Sequence, residues 1–197
     1  MPAASDNGPA TRVVAMHARS LDAFDQQVRA IAEDQWGAPT PCTEWDVRAL
    51  VTHLVEEQLW AVPLLEGATL DEAGARVPAD PLGEDPVAAW SASSAAARRA
   101  AGLPGVLERT VHLSYGDVPA PAYLAQMIMD ATVHSWDLAR GLGREVSLDH
   151  ELVAFSWEEV QGTKAELAAS GLFAAPVPVP DNADLLTRLL ALVGRHP

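Results

Sequence analysis

The 197-residue sequence contains a single cysteine and few basic or aromatic side chains. Cys42 cannot form an intramolecular disulfide, and one free thiol fits a reducing compartment. Only 13 basic side chains oppose 27 acidic ones, and the resulting net charge of −14 repels phosphate backbones and anionic lipid headgroups. We therefore expect neither nucleic acid nor a membrane as a partner.

Long apolar runs and several common motifs are also missing. No uninterrupted apolar run approaches the roughly 18 residues that a membrane span needs, and the amino terminus lacks a basic segment followed by an apolar one. We expect a cytoplasmic protein with one domain over residues 10–197 and a flexible segment over residues 1–9. Without a glycine-rich phosphate loop, a GxSxG elbow or an HExxH motif, nucleotide-binding and common hydrolase functions have no support.

The residues that are present favour an all-α fold. Alanine supplies much of the apolar content, whereas β-branched and aromatic residues are sparse. Apolar residues recur at spacings of three and four. This pattern predicts a helical bundle with a short extended segment at 108–117. The predicted helices cover residues 10–34, 44–67, 86–102, 118–143, 147–171 and 184–194.

Local signals suggest how some of these helices begin and pack. Thr43 followed by Asp46 approximates a capping box, and Asp85 before Pro86 is a good helix start. The proline-punctuated segment 172–184 is predicted to lie against the bundle rather than to form a flexible linker. The alanine-rich third helix can pack within the bundle or against a second subunit, so a monomer and a homodimer both stay open.

The stretch MDATVHSWDLAR, residues 129–140, places Asp130 and His134 four residues apart in a predicted helix. Residues four apart lie one above the other on the same helix face, so the two side chains can converge on one point. If His53 of the second predicted helix faces that point, two imidazoles and one carboxylate come together. This is a usual donor set for zinc and similar metals, and it leaves a coordination position for water or substrate.

Each of these residues also has an ordinary structural interpretation. A single histidine on an apolar stripe, such as His17 or His53, is more often a core residue than a metal ligand. Asp130 and His134 can simply hydrogen-bond each other or cap a neighbouring segment. The sequence leaves three roles for His17: a fourth metal ligand, a residue that contacts a ligand, or neither.

The other polar candidates carry weaker signals. Glu56 and Glu57 are expected on a solvated face; the alternative is that Glu57 hydrogen-bonds a ligand histidine or acts as a base. Cys42 precedes a helix and is expected to be a small buried residue rather than a reactive thiol. The sequence indicates no partner for the remaining histidines, which are His112, His150 and His196.

Four segments together resemble a known family. They are TPCTEWDVRALVTHLVEEQLWAVPLLEG, DPVAAW, RTVHLSYGDVPAPAYLAQMIMDATVHSWDLARGLG and DNADLLTRLLALVGRHP. They resemble the maleylpyruvate isomerase family of mycothiol-dependent, metal-binding proteins, within the broader DinB-like group of four-helix bundles. The resemblance extends from about Ala10 to the end and implies metal ligands at His53, Asp130 and His134. The family's isomerase has a glutamate where this chain has Asp130.

The resemblance implies a DinB-like bundle that works as a transferase or isomerase. A divalent metal, zinc or alternatively nickel or iron, would bind the sulfur of mycothiol or a similar thiol, which then attacks a small electrophile. Glu57, His17 and Trp60 are candidates for pocket residues or for residues that contact the ligands. Two alternatives remain. One is a non-catalytic metal-binding or small-ligand-binding bundle whose coordination shell is closed by His17, Glu57 or another chain. The other is an empty, degenerate site in a protein that works through its surface.

Overall fold

The computed structural model describes residues 9–163 and 173–197 and confirms the predicted mainly α fold. The described helices are α1 (Pro9–Val28), α2 (Val47–Leu65), α3 (Leu70–Gly74), α4 (Pro86–Ala101), α5 (Ala120–Gly141), α6 (His150–Gly162) and α7 (Leu185–Leu192). Short 3-10 helices cover Glu33–Gln35 and Val106–Glu108, and a hairpin pairs β1 (Thr110–Leu113) with β2 (Gly116–Pro119). In these two parts of the chain, no helix is long and apolar enough to cross a membrane.

Four of the helices form the bundle. Helix α1 packs mainly on α5, and α2 packs mainly on α4, while α5 also contacts α2 and α6. Because it is surrounded by neighbours, α5 is buried on nearly its whole circumference between Tyr123 and Ala139. Polar side chains in this helix therefore face protein rather than bulk water.

Small side chains let α4 approach the other helices closely. Ala97, Ala100 and Ala101 are buried in the core of the single chain, and Trp90 packs edge-on against Phe24 with ring centroids 4.8 Å apart. The alanine surface of α4 is thus already used within the bundle. The choice between a monomer and a homodimer stays a prediction.

The predicted helix boundaries on both sides of the loop between α1 and α2 are wrong. Helix α1 ends at Val28 rather than near residue 34, because the backbone turns extended at Ala32, whose N–H donates to the side chain of Gln35 at 3.0 Å. Helix α2 begins at Val47 rather than at residue 44, since the Asp46 carboxylate caps it by accepting from the Ala49 N–H at 2.8 Å. The predicted cap at Asp85, in contrast, is confirmed.

The extended segment predicted at 108–117 is the β1–β2 hairpin, which leads directly into α5. His112 and Asp117 are cross-strand neighbours in this hairpin, and His112 Nδ1 lies 2.8 Å from Asp117 Oδ1. The sequence indicated no partner for His112, because the pairing depends on strand register.

The carboxyl-terminal region agrees with the prediction where it is described. Helix α6 begins after the cap Asp149 and ends at Gly162, whereas the rest of the predicted 147–171 helix lies outside the described residues from position 164 on. Within the proline-punctuated segment, the Val177 N–H donates to the Ala191 carbonyl of α7 at 2.8 Å. The segment is therefore attached to α7 at that point. The predicted single domain over residues 10–197 stays a prediction.

Candidate metal centre

The structure brings His53 of α2 together with Asp130 and His134 of α5. One donor atom from each side chain lies within 4.8 Å of the other two. His53 Nε2 is 3.2 Å from Asp130 Oδ2, and His134 Nε2 is 3.5 Å from the same oxygen. The predicted proximity of His53 and Asp130, which are 77 positions apart in the chain, is therefore confirmed.

Neighbouring side chains fix the orientation of the two imidazoles. His134 Nδ1 donates to Asp137 Oδ2 at 2.9 Å, because a carboxylate can only accept. This hydrogen bond leaves Nε2 as the His134 nitrogen that faces Asp130. The indole of Trp45 lies beside both imidazoles, with ring centroids 4.6 Å from His53 and 5.6 Å from His134.

Asp137 is in turn held by Arg195, near the carboxyl terminus. Arg195 Nη2 donates to Asp137 Oδ2 at 2.8 Å, the Asp137 side chain is fully buried, and that of Arg195 is 8% exposed. The sequence analysis missed both residues. The spacing of three between His134 and Asp137 could have revealed the first, but no local signal links Asp137 to a residue 58 positions away.

The charges of the three donor residues and their neighbours change one another's pKa values. Burial alone would raise the pKa of Asp130, but the two imidazoles and Arg195 lower this pKa to about 2. Burial opposes protonation of His53, yet its hydrogen bond to Asp130 and the charges of Asp130 and Glu57 raise its pKa. In the absence of a metal, a proton on His53 thus stabilises the Asp130 carboxylate.

Glu57 stands at the edge of this group, where its side chain is 28% exposed and therefore half-buried rather than fully solvated. Its Oε1 is 3.8 Å from His53 Nε2, and its Oε2 is buried without a hydrogen-bond partner. Burial, together with the charge of Asp130, raises the pKa of Glu57 to about 8, although His53 acts in the opposite direction. Glu57 is therefore a carboxyl group that can hold a proton near neutral pH.

This donor set fits a divalent first-row metal. Ligand atoms at about 2.1 Å from a tetrahedral ion are roughly 3.4 Å apart. The two measured separations from Asp130 Oδ2, 3.2 and 3.5 Å, agree with that spacing. Carboxylate support for a ligand imidazole, as Asp137 gives to His134, is also a common feature of protein metal sites.

A groove of about 670 Å³ opens beside His53 and Glu57. Its walls come from α2, α3 and the tip of the hairpin, and they include Trp60, Leu70 and Tyr115. Trp60 is thus a lining residue, as the sequence analysis suggested. Another cavity, of about 360 Å³, lies between α1 and the start of α6 and is lined by none of the three donor residues.

Cys42 is half-buried, and burial is the main reason why the pKa of its thiol is raised. The charge of Arg195 lowers this pKa, and the charge of Asp137 raises it. Its Sγ lies 3.6 Å from Arg195 Nη2. A raised thiol pKa agrees with the predicted structural role rather than with a reactive thiolate.

His17 lies on the buried side of α1 and is only 1% exposed. It does not belong to the group of donor atoms around Asp130, and its Nε2 has no hydrogen-bond partner. Burial, assisted by the charge of Arg98, lowers its pKa to about 4. His17 is therefore a neutral core histidine in the described structure.

The pKa of His17 predicts a loss of stability in acid. The unfolded chain binds a proton at His17 near pH 6.5, whereas the folded chain does so only near pH 4. The free energy of unfolding should therefore fall as pH decreases from 6.5 to 4. Between pH 7 and pH 4.5, urea denaturation should show about 2 kcal/mol more loss for the unmodified protein than for His17→Leu. Equal losses would show that His17 does not titrate as described.

The comparisons with known proteins agree with this geometry. A family model described as the mycothiol maleylpyruvate isomerase N-terminal domain matches residues 17–139, more than half of the chain. Two uncharacterized proteins of Mycobacterium tuberculosis, from strains CDC 1551 and H37Rv, are each 32% identical over 188 residues, with 91% of this chain and 95% of each relative covered. No solved structure matches the chain significantly. The chain belongs to the family of the mycothiol maleylpyruvate isomerase N-terminal domain.

Proposed function

We propose that the protein is a divalent-metal-dependent enzyme of the mycothiol-dependent isomerase or transferase type. It activates a low-molecular-weight thiol, such as mycothiol, for attack on a small electrophile. The single observation that supports this best is the convergence of His53, Asp130 and His134, the first of which also lines an open groove. Family membership supports the choice of a thiol as cosubstrate.

His53, Asp130 and His134 would hold the metal through Nε2, Oδ2 and Nε2. Two imidazoles and a carboxylate suit zinc, and nickel or iron are the alternatives for the same donors. When bound, such a metal lowers the pKa of a coordinating thiol, so that the thiol is deprotonated at neutral pH.

The surrounding residues prepare the site for this chemistry. Asp137 keeps Nδ1 of His134 protonated, so that its Nε2 is free to donate an electron pair. Trp45 packs beside the two imidazoles and covers them on one side. Glu57 lines the groove next to His53, where its carboxyl group can accept and release a proton. We assign to Glu57 the removal of the thiol proton and its return to the product.

Elemental analysis and calorimetry test the proposal together. Protein purified without chelator should contain about one equivalent of divalent metal, which is the capacity of one three-ligand site. Mycothiol titrated into the metal-loaded protein should bind, whereas mycothiol titrated into chelator-treated protein should not. Protein that contains no metal and takes up none on titration would contradict the proposal and favour a degenerate site.

A non-catalytic metal site is the second candidate, because the buried Oε2 of Glu57, which has no hydrogen-bond partner, could complete a closed shell. In that case chelation would lower the melting temperature markedly, and the metal-loaded protein would bind no thiol. Glu57→Gln separates the two functions. It should reduce thiol-dependent turnover with little change in metal affinity for the enzyme, but it should weaken metal binding for the closed site.

A further inference from the structure

The groove beside His53 has a distinctive charge pattern. Its lining side chains include the carboxyl groups of Glu56, Glu57 and Asp71, but no lysine or arginine. The chain as a whole carries a formal net charge of −14. An acidic groove on an acidic protein repels anionic small molecules and lowers their local concentration.

The same groove also exposes flat apolar surface. Tyr115, at the tip of the hairpin, is 66% exposed, and it and Leu103 are the large hydrophobic side chains that the described parts of the chain leave exposed. Trp60 faces the same space from α2, with Leu70 and Leu113 nearby. Aromatic walls at the mouth of a concave site are suited to a flat apolar ligand.

A close approach between α2 and α3 positions Trp60. A Cβ atom added at Gly74 would lie 2.9 Å from the Trp60 ring, closer than such contacts normally come. Gly74 therefore leaves the space that the indole occupies on the groove wall. An alanine at this position would therefore require the Trp60 ring or α3 to shift.

We propose that this groove binds the electrophilic cosubstrate and selects an uncharged or cationic molecule with a flat apolar part. This inference rests on the proposed function and names its substrate class. The groove disfavours dicarboxylates, and thus maleylpyruvate, the compound for which the family is named. The carboxylates of Glu56 and Asp71 discriminate by charge, and Trp60 and Tyr115 contact the apolar part.

Two isosteric chloronitroaromatic compounds test the inference. 4-Chloro-3-nitrobenzamide is neutral, and 4-chloro-3-nitrobenzoate is an anion of nearly the same shape. With a thiol, a sulfur–carbon bond forms at the ring carbon that carries chlorine. The carbon–chlorine bond breaks, chloride leaves with the electron pair, and the thiol proton passes to Glu57 and then to water.

Calorimetric titration of each compound into chelator-treated protein without thiol measures binding to the groove alone, because the benzoate carboxylate could otherwise bind the metal directly. The amide should bind about tenfold more tightly than the benzoate, which corresponds to repulsion by nearby carboxylates in partly solvated surroundings.

Glu56→Gln combined with Asp71→Asn should strengthen benzoate binding several-fold and leave amide binding unchanged. Glu33→Gln with Asp34→Asn is the matched control, because it removes the same charge from the exposed 3-10 turn outside the groove and should leave the ratio unchanged. Gly74→Ala should weaken binding of both compounds.

The outcomes separate this inference from the proposed function. Equal or tighter binding of the benzoate, with thiol-dependent turnover intact, would overturn the charge selection and leave the enzyme proposal standing. Failure of both compounds to bind to protein that still binds metal and thiol would overturn the groove as the electrophile site. Tight, selective amide binding to a protein that binds no thiol would support the groove and contradict the proposed reaction.

Discussion

Replacement of both His53 and His134 by alanine is expected to abolish stoichiometric binding of a divalent metal. The double variant retains Asp130 alone, and a single carboxylate cannot replace three converging donors. Elemental analysis after purification without chelator should find no bound metal, and calorimetric titration should detect none at micromolar protein. Thiol-dependent turnover should disappear with the metal.

A matched surface variant makes this prediction specific. His150→Ala removes an exposed histidine at the start of α6 and should keep the full metal content. Circular dichroism should show that the double variant is still helical, because two alanines fit well within α2 and α5. A folded double variant that retains one equivalent of metal would contradict the assignment of His53 and His134 as ligands.

Replacement of Arg195 by methionine is expected to lower the free energy of unfolding by about 3 to 5 kcal/mol, the usual cost of breaking a buried ion pair from one side. The Asp137 carboxylate is fully buried and would lose the guanidinium that now lies 2.8 Å away. Urea denaturation of the chelator-treated protein measures this loss. Metal affinity should also fall by about 10- to 100-fold, because Asp137 would no longer be held against His134.

Two further variants distinguish positioning from simple destabilisation. Arg195→Met combined with Asp137→Leu removes both charges and should recover much of the stability. Its metal affinity should stay low, since His134 Nδ1 would still lack its acceptor. Arg188→Met, which removes an exposed guanidinium 4.7 Å from the Trp157 ring, should cost less than about 1 kcal/mol and should not change metal affinity. Equal effects of Arg188→Met and Arg195→Met would contradict the proposed role of Arg195.

The candidate site could be predicted from the sequence only in part. Asp130 and His134 were identifiable because helical spacing alone places residues four apart on one face. His53 was identifiable because it lies in a periodic helix and in a motif that resembles the family's. The partial burial of Glu57 has a physical reason. Its spacing suited a solvated face, but contact with His53 and the buried surroundings are set by the packing of α2 in the bundle.

Fold class and local helix formation were determined by the sequence itself. Helices form through contacts between residues three and four positions apart, so the spacing of apolar residues and the capping residues predict them directly. The tertiary structure alone decided the contacts between distant segments. They include the Asp137–Arg195 pair, the position of Trp45 against both imidazoles, and the groove that α2, α3 and the hairpin enclose. No local pattern encodes these contacts, since each depends on how whole elements pack and on which polar groups that packing removes from water.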